Sequence, residues 1–469
     1  MAMSKAVSLF LKFVIIGGLT LVILGSLALV DSVISERQNY RNEAVESISS
    51  SFASDQRILG PLLVQPYRQT VAQETTDDKG VKKTTLETID STYSTFPDQL
   101  NIKGEIKPDV RRHGLYRVPV YTFQGVLNGH ITVPAPALKG DIVYGVPYLA
   151  FTVKDARGIV GRPVLRVNGA DDPVLGATLT TQEQNNLVHP ALAWGTNLRA
   201  LVPQIGGKGG SLDFTLDLTL NGTQQLELVP LADTNHFELS SSWAAPLLAG
   251  QFLPNTHEIS KDGFHAVWNI SSLASATQQK MSAGTATSPA ENVDVVSVSL
   301  TDLIDPYKLS NRAVKYGILF VLLTFGGFFL FEMGKRMLIH PVQYLLVGFC
   351  LSVFFLLLVS FSEHLPFGEA YLISSVACIG LLMYYLAFVL HSKIYGLAFG
   401  GILAILYAAI YGLLISEDNA LLLGSLLLFG VIAIVMIATR KIDWYQRTAD
   451  LGQARTSPVP SSDLEIPKA

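Results

Sequence analysis

AVKYGILFVLLTFGGFFLF (Ala313–Phe331), VQYLLVGFCLSVFFLLLVSF (Val342–Phe361), AYLISSVACIGLLMYYLAFVL (Ala370–Leu390), YGLAFGGILAILYAAIYGLLI (Tyr395–Ile415) and ALLLGSLLLFGVIAIVMIA (Ala420–Ala438) follow one another with almost nothing between them. Each run is 19 to 21 residues long. At a rise of about 1.5 Å per helical residue, that length matches a hydrocarbon core of about 30 Å. A water-soluble core does not need five such runs in succession, and lipid admits only segments that satisfy their own backbone hydrogen bonds. The stretch therefore reads as a five-helix membrane bundle.

The loops orient it. Residues 332–341 carry Lys335 and Arg336, residues 391–394 carry Lys393, and the exit after the last run carries Arg440, Lys441 and Arg447. The two intervening loops hold Glu363, Glu369, Glu417 and Asp418 and no Lys or Arg. Positive charge in short loops marks the cytoplasmic side. The expectation is that 332–341, 391–394 and the C-terminus are inside.

Working outward, Phe10–Val30 is a sixth apolar run preceded by Lys5. Ser26-Leu27-Ala28 has the small-x-small spacing of a signal-peptide cleavage site. Against cleavage, apolar character continues to Val30, and Ile34, Val45, Ile48 and Phe52 keep helical spacing beyond it. The favoured reading is an uncleaved anchor whose helix runs on to about residue 54. The expected organisation is thus a membrane protein with six spans, one N-terminal plus five C-terminal. Residues 1–30 form the first cytoplasmic end and helix, 31–310 an exported, periplasmic domain, 311–439 the bundle, and 440–469 a cytoplasmic tail.

The grammar of 31–310 is β. In Ser211–Leu220, Leu212, Phe214, Leu216, Leu218 and Leu220 alternate strictly with Ser, Asp and Thr, so one face is core and the other wet. Asn221-Gly222 is a hairpin signal, and one extra residue there, as a three-residue loop or a bulge, would set Leu218 opposite Leu226 and Leu216 opposite Leu228. Further strands are expected at 62–68, 84–96, 115–123, 130–133, 148–154, 235–241, 264–270 and 293–300, with Gly and Pro between them. That pattern predicts a β-rich, sandwich-like domain. Gln73–Thr84 reads as a loop or hairpin tip, and Gln278–Asn292 as disordered.

With 469 residues, 49% hydrophobic and 15% charged, the chain has room for one sizeable soluble part beside its membrane segments. A net charge of −4 gives no pointer to nucleic acid as a partner. The two cysteines, Cys350 and Cys378, both fall inside apolar runs. They read as packed free thiols in preference to a disulfide or redox pair. The histidines form no HExxH or Cys/His cluster, so no metal or other cofactor is expected. Walker A, GxSxG and GxGxxG motifs are absent. Gly206-Gly207-Lys208-Gly209-Gly210 lacks phosphate-loop spacing and leads into a strand, which makes it a flexible turn. Asp155-Ala156-Arg157-Gly158 reads as a turn whose Asp bonds backbone and whose Arg pairs with a carboxylate, in preference to a substrate site. Ionisable residues lie at run ends and not at mid-depth, which argues against an ion-coupled transporter. Gly396-xxx-Gly400 points to close helix packing inside the bundle in preference to dimerisation. Tyr384, Tyr385, Tyr395, Tyr407 and Tyr411 read as interface anchors or packing residues.

Several stretches, taken in order, resemble the CreD family of bacterial inner-membrane proteins over nearly the full chain. They are Glu36–Arg41, Leu59–Leu62, Asp155–Ile159, Gly250–Pro254, Gly263-Phe264 with Trp268, Arg312-Ala313 with Lys315-Tyr316, Phe331-Glu332, His340–Gly348, Ser362–His364, Ala420–Gly424 and Ile442–Tyr445. The resemblance implies a cell-envelope integrity protein tied to a two-component system that responds to metabolic or envelope stress, and linked to envelope-targeting toxins and β-lactams. It carries over no catalytic or ligand-binding residue. Motif residues of unassigned role are Asp155, Arg157, Arg312, Lys315, Glu332, His340, Pro341, Glu363, His364, Asp443 and Trp444.

The leading expectation is a non-enzymatic protein that works through periplasmic binding or sensing by loops on a β scaffold. Its partners would be the lipid bilayer and an envelope protein or cell-wall component. One rival is a transporter or flippase for a neutral or lipidic substrate, with a cavity lined by Tyr, Ser and Gly. The other is a membrane-anchored cell-wall or lipid-modifying enzyme using Asp155 and His265.

Overall fold

The computed structural model describes residues 5–76, 82–135, 141–172, 175–177, 195–205, 209–282, 293–300, 305–335, 339–390, 392–416 and 419–440. The chain divides into two compact units, Arg41–Leu303 and, together, Met1–Tyr40 with Ile304–Ala469. Helix α1 (Lys5–Ser51) begins in one and ends in the other. Its 47 residues run unbroken through Ser26-Leu27-Ala28.

In the β unit the strands are β1 (Gln56–Thr76), β2 (Lys82–Thr95), β3 (Gln99–His113), β4 (Tyr116–Val133), β5 (Asp141–Tyr144), β6 (Tyr148–Val153), β7 (Val164–Val167), β8 (Ala170–Asp172) and β9 (Leu175–Ala177). They continue with β10 (Thr196–Leu201), β11 (Gly210–Thr223), β12 (Gln225–Leu228), β13 (Thr234–Ser241), β14 (Leu247–Gly250), β15 (Thr256–Ser260), β16 (Gly263–Ser271), a short helix α2 (Thr277–Ser282) and β17 (Val296–Ser299). One sheet runs β14-β17-β12-β1-β6-β10-β9, with β2 and β5 also paired to β1; the other runs β15-β16-β13-β3-β4-β11-β7-β8. All pairings are antiparallel except β1 with β12 and β13 with β3. Inward residues of both sheets make one core, which includes Leu63, Phe151 and Leu226 from the first and Phe123, Phe214 and Trp268 from the second. That is the sandwich expected from the strand pattern. A second apolar cluster covers the far side of the first sheet, where Leu59, Leu62 and Val64 meet Val229, Leu231, Met281, Val293 and Val295.

The alternation in 211–220 fixes the buried face correctly, since Leu212, Phe214, Leu216, Leu218 and Leu220 are each at most 2% exposed. The expected hairpin does not form. β11 pairs with β4 and β7, from Gly210 opposite Val133 to Thr223 opposite Val120. β12 crosses to the other sheet and pairs with β1 and β17. Leu226 and Leu228 do face the same core, but from the opposite layer. The change of sheet occurs at Gln224, which takes φ +61°. Gly222 serves close approach and not a turn: a Cβ there would lie 2.4 Å from the Tyr121 hydroxyl. That hydroxyl donates to Gln225 O at 2.7 Å, pinning the crossing point. A second departure is at 277–282, part of the stretch read as disordered, which is helix α2; residues 283–292 lie outside the described residues. Of Gln73–Thr84, residues 73–76 and 82–84 lie on the paired strands β1 and β2, with Thr76 opposite Lys82, and residues 77–81 lie outside the described residues. Of the glycine-rich turn, 206–208 lie outside the described residues, and Gly210 opens β11.

The helical unit holds the start of α1 and then α3 (Pro306–Lys315), α4 (Gly317–Lys335), α5 (Pro341–Ser362), α6 (Phe367–Val389), α7 (Lys393–Ile415) and α8 (Ala420–Thr439). Among the described residues, α1 from Phe13, α5, α6 and α7 are each long and apolar enough to cross a membrane. α3 with α4 makes a fifth if the bent pair is one span, and Leu421–Ala433 in α8 is a shorter apolar helix. The run read as Ala313–Phe331 is therefore not one straight helix. It starts earlier, because Asp305 caps Tyr307 N at 3.0 Å and Pro306 suits the first helical turn. It then bends by 41° at Tyr316, whose carbonyl accepts from both Leu319 N and Phe320 N at 3.0 and 3.2 Å. Gly396 and Gly400 do pack within the bundle. A Cβ at Gly396 would lie 2.9 Å from the Ala387 backbone, and one at Gly400 3.1 Å from Met383 Cγ, so α7 presses closely on α6. Of the tyrosines, Tyr407 is buried among Phe320 and Phe354, with ring centroids at 4.6 and 4.8 Å, whereas Tyr384 is exposed.

Candidate functional site

Most of the described motif residues lie in three polar clusters. In the β unit, Asp155 ends the loop after β6 and caps a 3-10 turn, Ala156–Gly158, by accepting from Arg157 N at 3.1 Å. Its carboxylate also takes Arg157 Nε at 2.9 Å, Arg157 Nη2 at 2.6 Å and Ser54 N at 2.9 Å. Arg157 Nη1 reaches on to the carbonyl of Ser50. Gln56 completes the knot: its Nε2 donates to Asp155 O and Asn221 O, both at 2.9 Å, and its Oε1 accepts from Asp155 N at 3.2 Å. The Arg157 guanidinium holds the Asp155 carboxyl down at about 2, against an ordinary 3.8, with Ser54 N adding to the effect and burial opposing it. The turn expected here is present, with the Asp155 side chain on backbone and Arg157 paired with that carboxylate. The turn clamps the chain leaving α1 to the end of β11.

Asp155 and His265 are not brought together. Ile159, just after the turn, bridges to Leu220 on β11, while His265 lies on β16 and contacts Glu238 at 3.2 Å. β16 and β11 are separated by β13, β3 and β4. Four strand spacings amount to about 19 Å.

In the helical unit, one cluster lies at the C-terminal end of α5. Glu363 pairs with Arg37 Nε at 3.6 Å and accepts from Tyr307 Oη at 3.3 Å. Beside it Asn311 Nδ2 donates to Asp31 Oδ1 at 3.3 Å. Arg312 is half-buried, and Lys315 and His364 are exposed. The other cluster lies at the N-terminal end of α5, a full helix length of about 33 Å away. There His340 caps α5, its Nδ1 accepting from Val342 N at 3.3 Å while Gln343 Oε1 accepts from His340 N at 3.1 Å, with Pro341 in the first turn. Glu332 does not extend to the interface as its place at a run end predicts. It is 4% exposed, and it accepts from Ile339 N and Tyr344 Oη, both at 3.1 Å. Tyr344 is wedged between Phe325 and Phe328, at 5.6 and 5.3 Å. Asp443 and Trp444 lie outside the described residues.

Sequence reasoning missed Gln56, Tyr307, Asn311 and Tyr344 as members of these clusters. Asp305-Pro306 is a readable helix start and could have exposed Tyr307 and Asn311; nothing local marks Gln56. No group of three or more His, Cys, Asp or Glu that could hold a metal occurs among the described residues. A small hollow in the bundle is lined by Phe328, Ile339, Leu390 and Phe399, not by Tyr, Ser or Gly.

Against known proteins, residues 8–445 match the profile of the family described as Inner membrane protein CreD. The Inner membrane protein CreD of Escherichia coli (strain K12) is 32% identical over 462 residues, covering 98% of each chain. Among solved structures, an M1 zinc metallopeptidase mutant from Deinococcus radiodurans is 6% identical, covers 44% of this chain and 42% of its own, and has a TM-score of 0.23. The unmutated enzyme is 8% identical, with coverage of 79% and 96% and a TM-score of 0.20. Scores that low carry no argument about fold or activity. A family match over nearly the whole length, with apolar helices on both sides of a β-rich domain, establishes that the chain belongs to the CreD family of inner membrane proteins.

Proposed function

We propose that this chain is a six-span protein of the inner membrane with both termini in the cytoplasm and its β-sandwich in the periplasm. There it serves the cell-envelope stress and integrity system by binding or sensing, not by catalysis. The orientation is supported by the loop charges, with Lys335, Arg336 and Lys393 on one side and Glu363, Glu369, Glu417 and Asp418 on the other. The observation that carries the binding reading is the employment of the motif residues. Asp155, Arg157, Glu332, His340 and Glu363 are engaged in hydrogen bonds and ion pairs that fasten helix ends and turns. Asp155 and His265, the pair an enzyme would use, are strands apart. Recognition then falls to exposed loops such as those carrying Leu253 and Leu273, which are 71% and 97% exposed.

The test places a photo-reactive residue at Leu253 or Leu273 in the full-length protein in living cells. A discrete cross-linked envelope protein or cell-wall fragment, absent when the photo-reactive residue is moved to the cytoplasmic tail, is the expected result. The reading fails if His265→Gln or Glu363→Gln abolishes rescue of envelope-stress sensitivity while the protein stays folded and abundant. A general acid or base contributes about 10² to 10⁴-fold in rate, so such a loss would expose a catalyst.

A further inference from the structure

Near the midpoints of α5 and α6 the two helices touch through their cysteines. Cys350 Sγ lies 3.4 Å from Cys378 Sγ. The contact is reciprocal: Cys350 Sγ faces Cys378 O at 3.9 Å, and Cys378 Sγ faces Cys350 O at 3.6 Å. Each sulfur sits against the other helix's backbone, and the gap between them exceeds the usual disulfide length of about 2.05 Å by about 1.4 Å. Both thiols are free. A third polar atom joins them, Tyr407 Oη of α7 at 3.2 Å from Cys378 Sγ. Cys378 is buried and Cys350 half-buried, on a face of α5 where Leu346, Phe349 and Val353 are exposed. In an inner-membrane protein that face meets acyl chains, so whatever reacts with the pair must arrive through lipid.

We propose that Cys350 and Cys378 form a redox-active dithiol, oxidised by a lipid-soluble quinone to a disulfide that ties α5 to α6. Two S–H bonds break and one S–S bond forms. The two electrons and two protons released pass to the quinone, which leaves as the hydroquinone. The Tyr407 phenol oxygen is placed to accept a hydrogen bond from the Cys378 thiol while the sulfurs close. Charged oxidants are excluded from this depth, because charge at the bilayer centre is strongly disfavoured. The proposal departs from the ordinary behaviour of buried cysteines, which are inert, by virtue of the pairing and the lipid-side opening.

The test uses the full chain in phospholipid vesicles treated with decylubiquinone, acid-quenched, denatured and counted for maleimide-reactive thiols. The expected result is loss of both thiols with recovery of one peptide pair joined through Cys350 and Cys378, two hydrogens lighter than the free peptides. Cys350→Ser should keep its remaining thiol and form no hydroquinone, and ferricyanide should leave both wild-type thiols intact. Retention of both thiols after quinone overturns the proposal. So does oxidation by ferricyanide at the quinone rate, or disulfides found only between separate chains.

Discussion

Asp155 holds its charge because four donors converge on it, from Arg157 Nε, Arg157 Nη2, Arg157 N and Ser54 N. Asp155→Asn keeps the size but removes the charge that draws the guanidinium, and a hydrogen bond to a charged partner contributes about 1.5–3 kcal/mol. Thermal unfolding of the full protein in detergent should therefore shift down. Arg157→Lys should be about as damaging, because a lysine cannot make the paired contacts and also reach the carbonyl of Ser50. A much milder Arg157→Lys would mean that the carboxylate matters for something other than the turn. The pH dependence has a definite sign. The folded carboxyl, at about 2, lies below its ordinary 3.8. Its contribution is therefore complete above about pH 4 and is lost as pH falls from there towards 2. Titrating the melting temperature over that window should show a loss in the wild type that Asp155→Asn lacks.

The joint between α4 and α5 is built as a unit. Glu332 closes it from one side by accepting from Ile339 N and Tyr344 Oη, and the His340–Gln343 capping box closes it from the other. Glu332→Ala would leave a buried N–H and a buried phenol without this acceptor, at about 1–3 kcal/mol for each. Glu332→Gln keeps one amide oxygen and should lose roughly half as much. Detergent melting of the two variants checks the order, and equal loss would assign the role to charge and not to acceptance. Hydropathy located the end of α4 at Phe331 within a few residues, but it could not tell a carboxylate that reaches water from one that folds back under Tyr344. The same boundary runs through β11. Its alternation discloses which side chains are buried, because the period of a strand is local. The partner strand is not local: Leu226 suits the core equally well from either sheet, and the crossing at Gln224 depends on Tyr121, more than a hundred residues away. β3 went unread for a related reason. Leu100, Ile102 and Ile106 alternate properly, yet Gly104 and Pro108 look like breaks until β4 and β13 are seen to pair alongside.

At the scale of the molecule, the apolar runs carried the most information. Their length and apolar character are set by the solvent and not by long-range packing, which is why such helices can be read without a structure. The order of strands in the two sheets and the convergence of most of the described motif residues into three clusters depend on contacts distant in sequence, and local pattern is silent about those. The central proposal is an inner-membrane protein with six spans and an exported β-sandwich. It is tested most directly by labelling intact cells with an impermeant thiol reagent, in a background lacking the native cysteines. Single cysteines replace Leu253 in the β unit, His364 after α5 and Lys393 before α7. The account predicts labelling of Leu253→Cys and His364→Cys from outside, and of Lys393→Cys only after permeabilisation; labelling of Lys393→Cys in intact cells, with Leu253→Cys protected, would contradict it.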